Sequence, residues 1–264
     1  MPYARRAAHT TVIAANAIRI LICMSAFYLS TASAAEVVVM STGAVKAAFS
    51  DASAQWSKDT GHGVSATFDP AGPLRQKIAS GVRGDILILP VDNFAALERD
   101  GVIVAGTRRD LGAVSMGAAV KEGAAVPDIS TVGALKSTLK NAASVTYMDP
   151  ERGSSGKYFD TVVLPKLGLR DEVRAKAKLG EGGSTAEKVA SGEAEIAFQN
   201  VTELMNVKGA KVVGLIPAEL QSPIVYSGAV MRDAKNPREA AQLLDYLASP
   251  AGRKVFLDRG FTAP

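Results

Sequence analysis

From residue 35 onward the apolar positions alternate between two rhythms, short unbroken runs and longer stretches in which they recur every three or four residues. Glu36 to Met40 is a compact β-branched run. It leads through Ser41-Thr42-Gly43 into a stretch from Ala44 to Lys58 that carries Val45, Phe49 and Trp56 on one helical stripe. Val64 to Phe68 predicts a second strand and Leu74 to Ser80 a second helix. Asp85 to Leu89 predicts a third strand, apolar enough to be buried on both faces of a parallel sheet. A helix over Asn93 to Arg99 ends at Asp100-Gly101. This alternation implies right-handed crossovers and a mostly parallel sheet.

The second half repeats the style without repeating the sequence. Gly112 to Val120 predicts a long strand of small residues, and Ser130 to Lys140 a helix with Ser130 as its N-cap. A strand over Ser144 to Met148 precedes helices over Ser155 to Leu164 and Ala186 to Ala190. Strands follow over Glu195 to Gln199, Lys211 to Ile216 and Pro223 to Met231. Two helices finish the chain, Pro237 to Leu247 and Pro250 to Arg259, each with proline in its first turn. No repeat of solenoid length is present and no Pro-, Gly- or Ser-rich linker divides the chain. Two lobes would therefore be joined within ordered strands, for which Gly112–Val120 and Pro223–Met231 are the candidates.

The segment before residue 35 has a different character. Arg5 and Arg6 precede an apolar stretch from about Ile18 to Leu29, and Ala32-Ser33-Ala34 is the small-residue pattern that signal peptidase cuts. The stretch is short for a bilayer span and is interrupted by Arg19. Residues 1–34 are expected to be a signal peptide cleaved near Ala34, with an uncleaved anchor as the rival, and the mature protein to lie in the periplasm without membrane insertion. Cleavage removes Cys23, the only cysteine, and three arginines with no acid, so the net charge falls from +4 to +1. With no basic run and no interleaved aromatics, nucleic acid is not an expected partner. The 47% hydrophobic and 21% charged content is that of an ordinary globular α/β protein.

Four strand-to-helix turns carry the candidate chemistry: Ser41-Thr42-Gly43-Ala44, Pro70-Ala71-Gly72-Pro73, Gly153-Ser154-Ser155-Gly156-Lys157 and Gly182-Gly183-Ser184-Thr185. A helix start presents unpaired N–H groups and partial positive charge, small residues let a ligand approach the backbone, and hydroxyls add donors. In open α/β sheets such turns border the ligand crevice. Taken singly each turn is an ordinary cap; together they predict a site for a small anion. The third is the strongest, and it is not a P-loop, since Tyr158 stands where Ser or Thr would hold magnesium. No nucleophile elbow, cysteine pair or histidine cluster suggests hydrolysis or a metal, and no cofactor is expected. His62 reads as a loop residue. Asp149 and Glu181 are the acids nearest the proposed crevice.

Several of these stretches resemble the periplasmic molybdate-binding proteins and their relatives. The similarity runs through Phe68, Leu74-Arg75-Gln76-Lys77-Ile78, Gly81 and Asp85-Ile86-Leu87-Ile88. It continues through Asp149-Pro150, Gly156-Lys157-Tyr158, Leu167-Gly168-Leu169, Gly192-Glu193-Ala194 and Ser249-Pro250-Ala251-Gly252. The resemblance implies an α/β type II periplasmic-binding-protein fold, two Rossmann-like lobes joined by two crossing strands. Residues 35–113 and 229–264 would form one lobe and 114–228 the other. It implies a monomer that captures a small anionic solute and delivers it to an ABC transporter permease. The ligand-binding residues would be Thr42, Gly43, Ala71, Gly72, Arg75, Ser154, Ser155, Gly156, Lys157, Gln199 and Asn200.

The chain also departs from that family. Pro70-Ala71-Gly72 replaces consecutive serines, Gln199-Asn200 replaces a tyrosine, and Arg75, Arg152 and Lys157 stand in or beside the turns. Planar carboxylates pair well with such cations, so the departures favour an organic carboxylate over molybdate. Some relatives of the family are aconitate isomerases. On that alternative the same scaffold is an enzyme, with Glu181 or Asp149 as the base.

Overall fold

A computed structural model describes residues 34–264. Residues 1–33 of the expected leader, Cys23 among them, lie outside the described residues.

The described strands are, in chain order, β1 (Glu36–Ser41), β2 (Gly63–Phe68), β3 (Ile86–Pro90), β4 (Arg109–Val114), β5 (Met116–Lys121), β6 (Val145–Tyr147), β7 (Ile196–Asn200), β8 (Ala210–Leu215) and β9 (Ile224–Val230). They form two sheets. One has the order β2-β1-β3-β9-β4 and the other β6-β7-β5-β8. In β3 every residue is buried, because helices cover both faces of its sheet. The pleat sends Ile86 and Ile88 to one face, where they meet Phe49, Trp56, Leu243, Leu247 and Phe256. Leu87 and Leu89 point the other way, onto Leu74, Ile78 and Phe94. The second sheet is built alike, with Tyr147, Phe159 and Phe198 packed on one side and Ala119, Val189 and Ala197 on the other.

Each sheet thus has its own core, and the chain crosses between them twice. The first crossing is the single residue Ser115 between β4 and β5, where the sequence had predicted one long strand over Gly112–Val120. The second is residues 216–223 between β8 and β9. The whole of β9 pairs within the first sheet, with β3 on one side and β4 on the other, so the expected lobe boundary at 228 falls inside a strand of the first lobe. A mostly parallel sheet was expected, but β3–β9, β9–β4, β5–β7 and β5–β8 are all antiparallel. The reason is the crossing: a strand that arrives directly from the other lobe needs no crossover helix, and only such a helix makes neighbours parallel. β1–β2, β1–β3 and β6–β7 are parallel as the alternating pattern requires.

Several local readings also change. The helix expected to start at Ser130 runs over Val132–Asn141 and is capped by Thr131, whose hydroxyl accepts from the Ala134 N–H, while Ser130 bonds Asp128. The helix after β6 is α over Ser154–Tyr158, π over Phe159–Val163 and α again over Leu164–Leu167. Pro165 accounts for the widened turn, since it has no N–H to give to the carbonyl four residues back. His62 is half-buried, stacked on Trp56, with Nδ1 accepting from the Ala35 N–H. Among the described residues no helix is long and apolar enough to cross a membrane.

Candidate functional site

The parallel strands β1, β2 and β6 and the strand β7 all end toward one place between the sheets. The turns after them line a cavity of about 110 Å³. The turn after β1 brings Thr42, Gly43 and Ala44, and that after β2 brings Asp69, Pro70 and Ala71. Gly153, Ser154 and Ser155 open the helix after β6, and Gln199, Asn200 and Glu203 come from the end of β7. Tyr226 of β9 closes the remaining side. A larger cleft of about 620 Å³ shares Gly153 and Ser154 with this cavity and opens outward past Arg75, Arg152, Lys157 and Asp92.

The inner cavity is rich in neutral hydrogen-bonding groups that the protein itself leaves unused. Thr42 Oγ1 and Asn200 Oδ1 are buried without a partner, on residues that are 5% and 2% exposed. A buried polar atom without a partner is uncommon and asks for an explanation, such as a bound group. The Ser154 and Ser155 hydroxyls flank the same space. Gln199 plays another part: its Oε1 accepts from both the N–H and the hydroxyl of Thr185, at 2.7 and 2.9 Å, and its Nε2 donates to the Gly183 carbonyl. It therefore pins the 182–185 turn against the cavity, with Gly183 at a φ of +68° that favours glycine.

Three acidic or basic side chains also line it: Lys46, Asp69, which is paired with Lys77 at 2.8 Å, and Glu203. Glu203 Oε2 accepts from Asn200 Nδ2 at 3.0 Å, and Asn200 Nδ2 also donates to the Tyr226 hydroxyl at 3.1 Å. Glu203 is half-buried and lines the inner cavity. Burial pushes its carboxyl up to about 7, against the opposing effect of hydrogen bonds from Asn200 and Gln199. Burial, and next the charge of Glu203, also push the Tyr226 phenol far above its ordinary range.

Of the residues expected to bind ligand, Thr42, Gly43, Ala71, Ser154, Ser155, Gln199 and Asn200 meet around the inner cavity, and Arg75 and Lys157 stand on the outer cleft. Gly72 and Gly156 do not line either space. Gly72 belongs to the seam between the lobes, its N–H donating to the Arg152 carbonyl at 2.7 Å. Gly156 is packed against the Met148 backbone, where no side chain would fit. The two acids named as possible bases also lie elsewhere. Asp149 accepts from the Glu151 N–H beside a separate cleft with Arg174, and Glu181 lies on a surface hollow with Glu187 and Lys188. Glu203 and Tyr226 are what the sequence reading missed. Glu203 sits in Val201-Thr202-Glu203-Leu204, which looks like any helix start with an acid in its first turn.

Three comparisons place this geometry among known proteins. The chain is 31% identical over 229 residues to an aconitate isomerase from Pseudomonas sp, an alignment that covers 85% of this chain and 86% of that protein. It is 29% identical over 254 residues to the molybdate-binding protein ModA of Azotobacter vinelandii, covering 92% and 96%. The fold superposes on the periplasmic molybdate-binding protein of Azotobacter vinelandii with a TM-score of 0.76 at 19% identity, over 86% of this chain and 99% of that one. The architecture is therefore the type II periplasmic-binding-protein fold that the resemblance implied. Residues 37–262 match the family model for bacterial extracellular solute-binding proteins, and the chain belongs to that family.

Proposed function

We propose that the protein is an exported receptor for a small organic polycarboxylate, which it delivers to an ABC transporter. The observation that carries this reading is the division of the site. A cavity lined chiefly by neutral donors, with Lys46 as its one cation among the described lining residues, opens into a cleft with Arg75, Arg152 and Lys157 on its walls. At about 110 Å³ the inner space is well below the roughly 300–1,000 Å³ of an ordinary small-molecule pocket, whereas the outer cleft, at about 620 Å³, lies within that range. A compact tetrahedral oxyanion would use only the inner part. An elongated acid places one carboxylate on the hydroxyls and amides and the others among the cations. Calorimetric titration with trans-aconitate, citrate, sulfate and molybdate tests this directly. Tight binding of a polycarboxylate is expected, and tight binding of molybdate with none of trans-aconitate or citrate would overturn it.

A second reading has its own support. Glu203 is a carboxyl near neutrality inside the cavity, the property a general acid–base group needs, and one relative is an aconitate isomerase. On this reading Glu203 takes over the role first given to Asp149 or Glu181. Incubating the protein with trans-aconitate and following the cis isomer decides it, and no conversion under saturating conditions leaves the receptor alone.

A further inference from the structure

An anion site should not hold a bare carboxylate. Two negative groups in contact repel, and the repulsion is strongest where water is excluded. Yet the inner cavity contains one. Its Oε1 faces the Gly43 backbone so closely that a Cβ there would stand 2.8 Å from it. Its Oε2 is held by Asn200.

Two other acidic or basic side chains line the inner cavity, Lys46 and Asp69, and neither is paired with Glu203. Among the described residues Glu203 makes no ion pair. After the turn that follows β1 comes Lys46, which lines the cavity with its exposed side chain and holds its ammonium over the Phe68 ring at 5.9 Å. From the turn after β2 comes Asp69, already paired with Lys77 at 2.8 Å. β9 contributes the Tyr226 phenol, and β7 the two amides Gln199 and Asn200. The 182–185 turn contributes no ionisable group, only Ser184, whose hydroxyl donates to the Glu203 backbone carbonyl. β5 and β8 carry Lys121 and Lys211 near the ends that pair with one another, Lys121 opposite Ala210 and Val120 opposite Lys211, away from the Met116 end that meets Asn200. In the outer cleft stand Arg75, Arg152, Lys157 and Asp92.

We propose that Glu203 contacts the bound anion in its acid form, as a hydrogen-bond donor, so that the inner cavity takes up an anion together with one proton. The unpartnered Thr42 hydroxyl is a second donor on the same wall, and Asn200, whose Nδ2 serves both Glu203 and Tyr226, holds the carboxyl in place. The proposal rests on the receptor reading, in which an anion occupies the inner cavity; a Glu203 acting as general base would instead meet the ligand ionised.

The test is calorimetric titration of trans-aconitate at pH 6 and pH 8.5, with each pH measured in two buffers of different ionisation enthalpy. The probe's last carboxyl, raised by the two charges beside it, is still titrating at about pH 6, and its own proton linkage is measured on the free probe and subtracted. With Glu203 titrating near 7 in the free protein, affinity should fall about thirtyfold between the two pH values. Uptake of close to one proton per ligand should be seen at pH 8.5. Glu203→Gln keeps a donor in the same place and cannot ionise, so it should bind at pH 8.5 as the parent does at pH 6, with no proton uptake. A parent protein whose affinity is flat with pH and takes up no proton overturns the proposal while leaving the receptor reading intact. A pH slope that survives in Glu203→Gln overturns it too, by assigning the proton to another group. Failure of trans-aconitate, citrate, sulfate and molybdate to bind at any pH overturns the receptor reading, and the proposal with it.

Discussion

Gly72 offers the sharpest separation of folding from capture. It is the second residue of the Ala71–Ala79 helix on the first lobe, and its N–H reaches across to the Arg152 carbonyl at 2.7 Å. A Cβ at this position would stand 2.6 Å from the Glu151 carbonyl oxygen, 3.0 Å from that of Arg152 and 3.2 Å from the Arg152 Cα. All three are backbone atoms of the other lobe, so no side chain can rotate away. Gly72→Ala must therefore hold the seam open. Overpacking of this kind costs about 1–3 kcal/mol and the stretched hydrogen bond about 1 kcal/mol more. The closed state should lose roughly 2–4 kcal/mol, which is about 30- to 1,000-fold in affinity. Within its own lobe the same change exchanges glycine for the best helix former, worth up to about 1 kcal/mol in favour of folding. Thermal melts of the ligand-free protein should consequently stay level or rise while calorimetric affinity for the solute collapses. Affinity unchanged in Gly72→Ala would refute the seam as part of the bound state, and a large fall in melting temperature would show that the lobes are in contact without ligand.

Ser155→Ala removes a donor from the inner cavity and should weaken binding about tenfold or more, with stability nearly unchanged. Lys157→Ala should weaken binding mainly at low salt, because that ammonium is exposed; an effect independent of salt argues against a charge acting at a distance. Asp160 is fully buried between Arg170 and Arg174, at 2.7 Å from Arg170 Nη2. Burial works to raise its carboxyl, but the hydrogen bonds and charges of Arg174 and Arg170 outweigh it and hold the group below its usual value. A depressed carboxyl stabilises the fold above its unfolded value near 3.9 and loses that contribution as pH falls through the lower folded one. Asp160→Asn should thus lower stability at neutral pH by about 2–4 kcal/mol and flatten the acid limb of the melting curve, as thermal melts from pH 7 to pH 2 will show. Intact mass of the exported protein should place the mature N-terminus within two residues of Ala35, and retention of residues 1–30 would refute cleavage.

The four small-residue turns were legible because they recur together at strand ends, where any one alone would be an ordinary cap. Three of the four line the inner cavity, and the fourth lends Gly183 to it. The first crossing was not legible, because Val114 and Met116 continue the apolar run on either side of Ser115 and nothing in the rhythm marks a change of sheet. Gly72 and Gly156 were misread for a related reason: a glycine that admits a neighbouring backbone looks in sequence like one that admits a ligand. The helix Arg170–Ala175 has too little apolar periodicity to be seen, since its arginines serve the buried Asp160 and not a hydrophobic face. Glu203 escaped because an acid in a first turn has a common explanation, and only the closing of Gly43 and Tyr226 around it removes its water.

The two crossings between the sheets are unequal. A single residue has one pair of soft backbone torsions, so Ser115 acts as a pivot and leaves the lobes little freedom except rotation about it. The longer crossing of residues 216–223 is braced at both ends of its loop. Gln221 Oε1 accepts from the Met116 N–H, Gln221 Nε2 donates to the Ile216 carbonyl, each at 2.7 Å, and the Tyr158 hydroxyl donates to the Leu220 carbonyl. It behaves as a strut tied to the pivot and not as a second loose joint. The carbonyl of Ser115 accepts the Val201 N–H at 3.0 Å, the first residue of the short helix that carries Glu203. The short helix that carries Glu203 thus hangs from the very residue about which the lobes would turn.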